Sequence, residues 1–98
     1  MNTAPLLDTH VWLWWLLGDS RLTPRARATL DGMPRDQRPF LSDISLWEVA
    51  LLVERKRVIL HLPLQDWLRA AANPATVRLL SITPDIATEV AHLPASFH

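Results

Sequence analysis

The sequence contains no cysteine, and that absence removes disulfide scaffolds, thiolate catalysis and Cys-ligated zinc together. The redox compartment stays open, with a reducing cytosol compatible. Net charge is lacking too: ten Lys and Arg balance ten Asp and Glu. A protein whose affinity rests mainly on phosphate contacts carries a strongly basic footprint, so that class is excluded, while a small basic patch remains compatible. There is no long apolar run. The longest, residues 11–17, has seven residues, against the roughly 20 that cross a bilayer, so no membrane association is expected. The opening Met1-Asn2-Thr3-Ala4-Pro5 has no basic flank, and Asp8 and His10 interrupt the apolar stretch that follows. A signal peptide is therefore not expected, and a cytoplasmic location is. The four His are scattered without metal-ligand spacing, which leaves zinc and His general-base schemes poorly supported.

What is present is a chain of 98 residues, 49% apolar and 20% charged. That composition lies far from disorder and fits one domain, 1–98. Domains of this size bury only about two-thirds of their unfolded surface. With five Trp, a homo-oligomer or complex is the expected way to cover the remainder.

Gly, Pro and capping residues punctuate the chain. Pro5-Leu6-Leu7-Asp8 reads as a short strand ending on a carboxylate, followed by a helix capped by Asp8 or Thr9 and stopped at Gly18. Thr23-Pro24 opens a second helix over about 24–31, with Gly32 as its stop. Pro39-Phe40-Leu41-Ser42 reads as a second strand. Apolar residues at 46, 49, 50 and 53 then predict a core-facing helix from Ser45, ending in Arg55-Lys56-Arg57. Residues 58–64 are ambiguous between extended chain and loop. A further helix is expected over 64–72, a third strand over 77–82, and a helix from Thr83-Pro84 to about 92. Strand and helix alternate three times, which predicts an α/β domain with a mostly parallel sheet and a ligand edge outside the carboxyl ends of the strands.

Asp8 stands at that edge, either as a helix cap or as a site residue; position alone does not separate the two. Glu48 has a sharper alternative, because Ser45-x-x-Glu48 is a capping-box pattern in which the glutamate bonds back to the Ser45 backbone N–H. If the helix begins at Ser42 instead, Glu48 falls in its second turn, near the end of a strand expected beside the first. Asp8 and Glu48 then converge. Two converging carboxylates suit Mg²⁺ or Mn²⁺, hard cations that take oxygen ligands and keep several waters. An aspartyl-nucleophile phosphatase also ends its first strand on Asp but needs a second Asp two residues on, where this chain has His10.

The segments Leu6-Leu7-Asp8-Thr9-His10-Val11-Trp12 and Leu41-Ser42-Asp43-Ile44-Ser45-Leu46-Trp47-Glu48, with Leu22-Thr23-Pro24 and Leu80-Ser81-Ile82-Thr83-Pro84 in matching order, resemble the PIN-domain family, specifically its VapC-type toxins. The resemblance covers essentially the whole chain. It implies a three-layer α/β/α nuclease that cleaves RNA at a Mg²⁺ or Mn²⁺ site and is restrained by a cognate antitoxin. Asp8 matches the family's first acidic position and Glu48 its second. Thr9 or Ser42 would cap helices or orient a carboxylate, with capping the favoured expectation. The family's third and fourth acids lie in an H-R-D-P-x-D-R-type segment that is expected directly after Phe97-His98, together with the last strand and helix. The sequence accordingly reads as a C-terminally incomplete domain, for which a non-catalytic module engaging an antitoxin or its own copy is the alternative function. Asp85 and Glu89 are read as first-turn and solvent-face charges rather than substitutes, and Asp43 has no assigned role.

The Trp-rich helix points to partners. Residues 12 and 14 project about 200° apart on a helix, so burying Trp12, Trp14 and Trp15 against one sheet face is geometrically hard. A partner chain, antitoxin helix or second subunit, is expected over at least one side.

Overall fold

A computed structural model of the chain describes residues 4–90. The first strand, β1 (Leu6–Leu7), leads into α1 (Thr9–Leu17) and α2 (Pro24–Asp31), and a single 3-10 turn (Arg35–Gln37) precedes β2 (Phe40–Ser42). Next come α3 (Ile44–Glu54), α4 (Leu64–Ala71), β3 (Arg78–Leu80) and α5 (Pro84–Val90). The strands form a parallel sheet in the order β1-β2-β3, with Leu7 opposite Leu41 and Leu41 opposite Leu79. Because β1 and β2 are neighbours, the residues that follow their carboxyl ends share one edge of the sheet. No helix among the described residues is long and apolar enough to cross a membrane.

Local chemistry explains most boundaries. The Asp8 carboxylate accepts the His10 N–H at 2.8 Å and starts α1. Gly18, at φ 68°, ends it in the left-handed conformation that glycine adopts without a Cβ penalty. The last carbonyls of α1 have an additional partner. The Arg27 guanidinium of α2 donates to Trp15 O at 2.9 Å, Trp14 O at 3.2 Å and Asp19 O at 3.0 Å, satisfying groups that a helix terminus leaves open. Thr23 caps α2 by accepting the Ala26 N–H, with Pro24 at the first helical position.

Two boundaries differ from the sequence reading. The third helix starts at Ile44 rather than Ser45, because Ser42 Oγ accepts the Ile44 N–H at 3.1 Å and Ser45 lies one residue inside. The third strand is only Arg78–Leu80, as the ladder is limited by the three residues of β2 that face it. Residues 58–63 are irregular. The final strand and helix expected beyond residue 98, and the end of the helix expected at 92, lie outside the described residues.

The core forms around α1. Trp12 is fully buried, donates its indole N–H to Ala71 O at 3.2 Å, and meets Trp67 of α4 with ring centroids 5.4 Å apart. Trp15, also buried, donates to Asp31 Oδ1 at 2.8 Å and lies under the Arg38 guanidinium. Of the two sides of α1, at least one of which was expected to need a partner, the side carrying Trp12 and Trp15 is covered from within the chain: α4 encloses one indole, while α2 and Arg38 enclose the other. A sheet face is not the only surface the chain folds against α1. Trp14 stays half-buried, and the most exposed indole is Trp47 on α3, at 59%.

Candidate active site

The sheet edge brings Thr9 against Glu48, 39 residues away in sequence. Asp8 leaves β1 and caps α1, which directs its carboxylate to the ligand edge with 40% of the side chain exposed. Thr9, one residue further, is buried. Its hydroxyl lies 2.7 Å from Ser45 Oγ and donates to Glu48 Oε1 at 2.8 Å. A threonine hydroxyl has a single proton, so if that proton goes to the carboxylate, Ser45 must be the donor to Thr9. The result is a directed line, Ser45 to Thr9 to Glu48, tying the first turn of α1 to the first two turns of α3.

This line rules out the capping-box reading of Glu48. The capping box required the carboxylate to bond the Ser45 backbone N–H; instead Glu48 turns across to the residue beside Asp8. Ser45 contributes its side chain to the same line, a role sequence reasoning missed. The only available hint was a small hydroxyl residue one turn before Glu48 on the helix. Thr9, favoured as a cap, orients a carboxylate, and Ser42 does cap.

Other candidates fall outside this arrangement. Asp43 is exposed at the start of α3; its backbone N–H continues the sheet ladder to Leu80 O at 2.9 Å and its side chain caps nothing. Asp85 is an exposed first-turn residue of α5. The side chain of Glu89 and the segment expected to carry further acids lie outside the described residues. His10 Nδ1 stands 3.6 Å from Asp8 Oδ1, on the exposed first turn of α1.

The donor set is hard oxygen. Among the described residues, the hydrogen bonds to the two carboxylates use Asp8 Oδ1 and Glu48 Oε1, so each acid keeps one oxygen for another ligand. That suits a hydrated Mg²⁺ or Mn²⁺, which retains several waters. Among the described residues there is no group of three or more His, Asp or Glu arranged around a common metal position.

A family model described as PIN domain matches residues 6–98. Over 95 residues the chain is 35% identical to Ribonuclease VapC22 of Mycobacterium tuberculosis, an alignment spanning 97% of this chain and 69% of that protein. No solved structure matches significantly.

Proposed function

The chain belongs to the PIN-domain family, among its VapC-type members, and from that premise we propose that it is the ribonuclease toxin of a toxin–antitoxin pair. The substrate is an RNA phosphodiester, hydrolysed in the cytoplasm at a Mg²⁺ or Mn²⁺ site held by Asp8 and Glu48. The observation that supports this reading is the hydrogen bond from Thr9 to Glu48, which ties the second acid to the residue next to Asp8 in sequence instead of spending it on a helix cap.

When bound, the metal supplies Lewis acidity, promoting ionisation of the attacking water and neutralising charge on the phosphate. The protein's part is positioning. The Asp8 carboxylate is fixed by the His10 N–H and by its place at the positive end of α1, where negative charge is favoured. Glu48 is fixed by Thr9, itself held by Ser45, so the acid is oriented before any ligand arrives. Such preorganisation lets charge develop on the substrate without rearrangement of the site. A cognate antitoxin is the inhibitory partner this membership points to. A second copy of the chain is a further partner, for which exposed Ile44 and Trp47 on α3 offer apolar surface.

Two measurements test the reading together. Electron paramagnetic resonance of Mn²⁺ reports binding without turnover: free Mn²⁺ signal should fall on adding the protein and recover with Asp8→Asn or Glu48→Gln. Cleavage of single-stranded RNA should require Mn²⁺ or Mg²⁺, stop in EDTA and vanish in Asp8→Asn. Mn²⁺ binding that ignores both substitutions removes the assignment of the site, and cleavage that survives in EDTA removes the metal.

A further inference from the structure

At the sheet edge opposite Asp8, where the amino ends of the strands lie, there is a cleft of about 520 Å³. Pro5 before β1, Thr29 and Met33 around the end of α2, Gln37 of the 3-10 turn and Arg78 at the start of β3 are among the residues that line it. Its volume falls within the range of small-molecule sites.

Two arginines meet at this edge. Arg78 stands opposite Phe40 in the parallel register, so the two side chains share a face of the sheet, and the guanidinium stacks on the ring 3.9 Å from its centroid. Its Nε–H donates to Arg38 O at 2.7 Å. One face and one edge of the guanidinium are thereby fixed, while the two terminal amino groups have no partner among the described residues. Arg38 is itself buried, with its guanidinium over the Trp15 ring and donating to Thr76 O and Met33 O. Neither arginine is paired with a carboxylate among the described residues: Asp31 accepts from the Trp15 indole instead, and Asp36 is exposed without an ion pair. No acid lines the cleft, so its potential is positive.

The hydrogen-bond inventory selects the ligand. Thr29 donates its hydroxyl proton to Arg25 O at 3.0 Å, and the backbone N–H groups of Gly32, Met33 and Gln37 are all bonded within the chain. What stays free to donate is the terminal fork of Arg78, together with the amide of exposed Gln37. A cation is repelled here, and a purely apolar ligand would strip water from the guanidinium without replacing it. An oxyanion meets both the charge and the fork.

We propose that this cleft is an oxyanion-binding site, in which a phosphate or carboxylate group sits end-on against the two terminal amino groups of Arg78 and accepts from the Gln37 amide, while an apolar remainder of the ligand lies on Pro5 and Met33. Arg78 is already held by Phe40 and Arg38 O, so little side-chain freedom is lost on binding. The site lies at the other edge of the sheet from Asp8 and stands independently of the ribonuclease reading.

Two-dimensional amide NMR of the 98-residue chain, titrated with phenyl phosphate and in a separate series with benzoate at constant ionic strength, tests the site. The backbone amide signals of Gly32, Gln37 and Arg78 should shift and saturate, and the probe with the lower Kd tells whether phosphate or carboxylate is the preferred group. Arg78→Gln should raise that Kd at least about tenfold, the loss of a charge-assisted pair. Arg78→Lys keeps the charge without the fork and should recover only part of the affinity. Gln37→Ala changes an exposed side chain with no folding role and should raise Kd about threefold, the weight of one neutral hydrogen bond. Asp8→Asn should leave Kd as it is. Shifts that saturate with neither probe, a Kd unchanged in both Arg78→Gln and Gln37→Ala, or a Kd that moves with Asp8→Asn alone would each overturn the proposal.

Discussion

Removing the Thr9 hydroxyl isolates the contact on which the candidate site depends. Thr9→Val keeps the branched shape at a buried position of α1 and deletes one oxygen, so no cavity forms. Two interactions go with it: the bond to Ser45 Oγ at 2.7 Å and the bond to Glu48 Oε1 at 2.8 Å. A hydrogen bond to a charged group contributes about 1.5–3 kcal/mol, and half-exposed Glu48 regains part of that from water. Ser45 is buried, and an unsatisfied hydroxyl there costs about 1–3 kcal/mol. The net expectation is a loss of about 2 kcal/mol, which for a domain near 100 residues lowers the thermal midpoint by roughly 8–16 °C. Removing both orphaned hydroxyls should be less damaging than removing one, because replacing both partners with apolar groups is nearly neutral. Thr9→Val with Ser45→Ala should therefore recover at least about 1 kcal/mol relative to Thr9→Val alone. Urea unfolding of the parent, both single variants and the double variant gives the cycle. Strict additivity, or a Thr9→Val variant within about 0.5 kcal/mol of the parent, the ordinary range for a surface change, would refute the directed line from Ser45 to Glu48.

Trp12→Leu should cost about 3 kcal/mol by calorimetry, since it deletes most of a fully buried indole together with its bond to Ala71 O and its contact with Trp67. Lys56 is the one non-glycine residue with positive φ among the described residues, at 57°, just past the end of α3; Lys56→Gly should raise stability by up to about 1 kcal/mol by relieving the left-handed conformation. The Asp19 carboxyl is lowered from 3.8 to about 2, first by the side-chain hydrogen bond from Arg21 and then by the Arg21 backbone N–H. A lowered folded-state value means the unfolded chain binds the proton more readily, so this contribution is present above about pH 4 and fades as pH falls through 2. The gap in urea midpoint between the parent and Asp19→Asn should accordingly close over that acid window; a gap that widens there contradicts the pairing.

The amino-acid order alone determined what depends on neighbouring backbone. Asp8 as cap, Gly18 as left-handed stop and Thr23-Pro24 as helix start are contacts between residues no more than four apart, and such contacts read the same in any tertiary setting. The alternation of strands and helices followed from these signals and from apolar spacing, and with it the placing of Asp8 at the carboxyl edge of the sheet. Tertiary structure decided the rest. Glu48 had a good local partner in the Ser45 backbone, and only the packing of α1 against α3 supplied the competing hydroxyl from 39 residues away. The Trp12 and Trp15 indoles belong to a helix apolar on every side, for which local sequence names no covering surface; α4, α2 and Arg38 closed around them from distant sequence. Strand length was settled in the same manner, since β3 extends only as far as β2 offers it carbonyls and N–H groups. In each case a local rule named a possible partner, and the free energy of a buried long-range contact outweighed it.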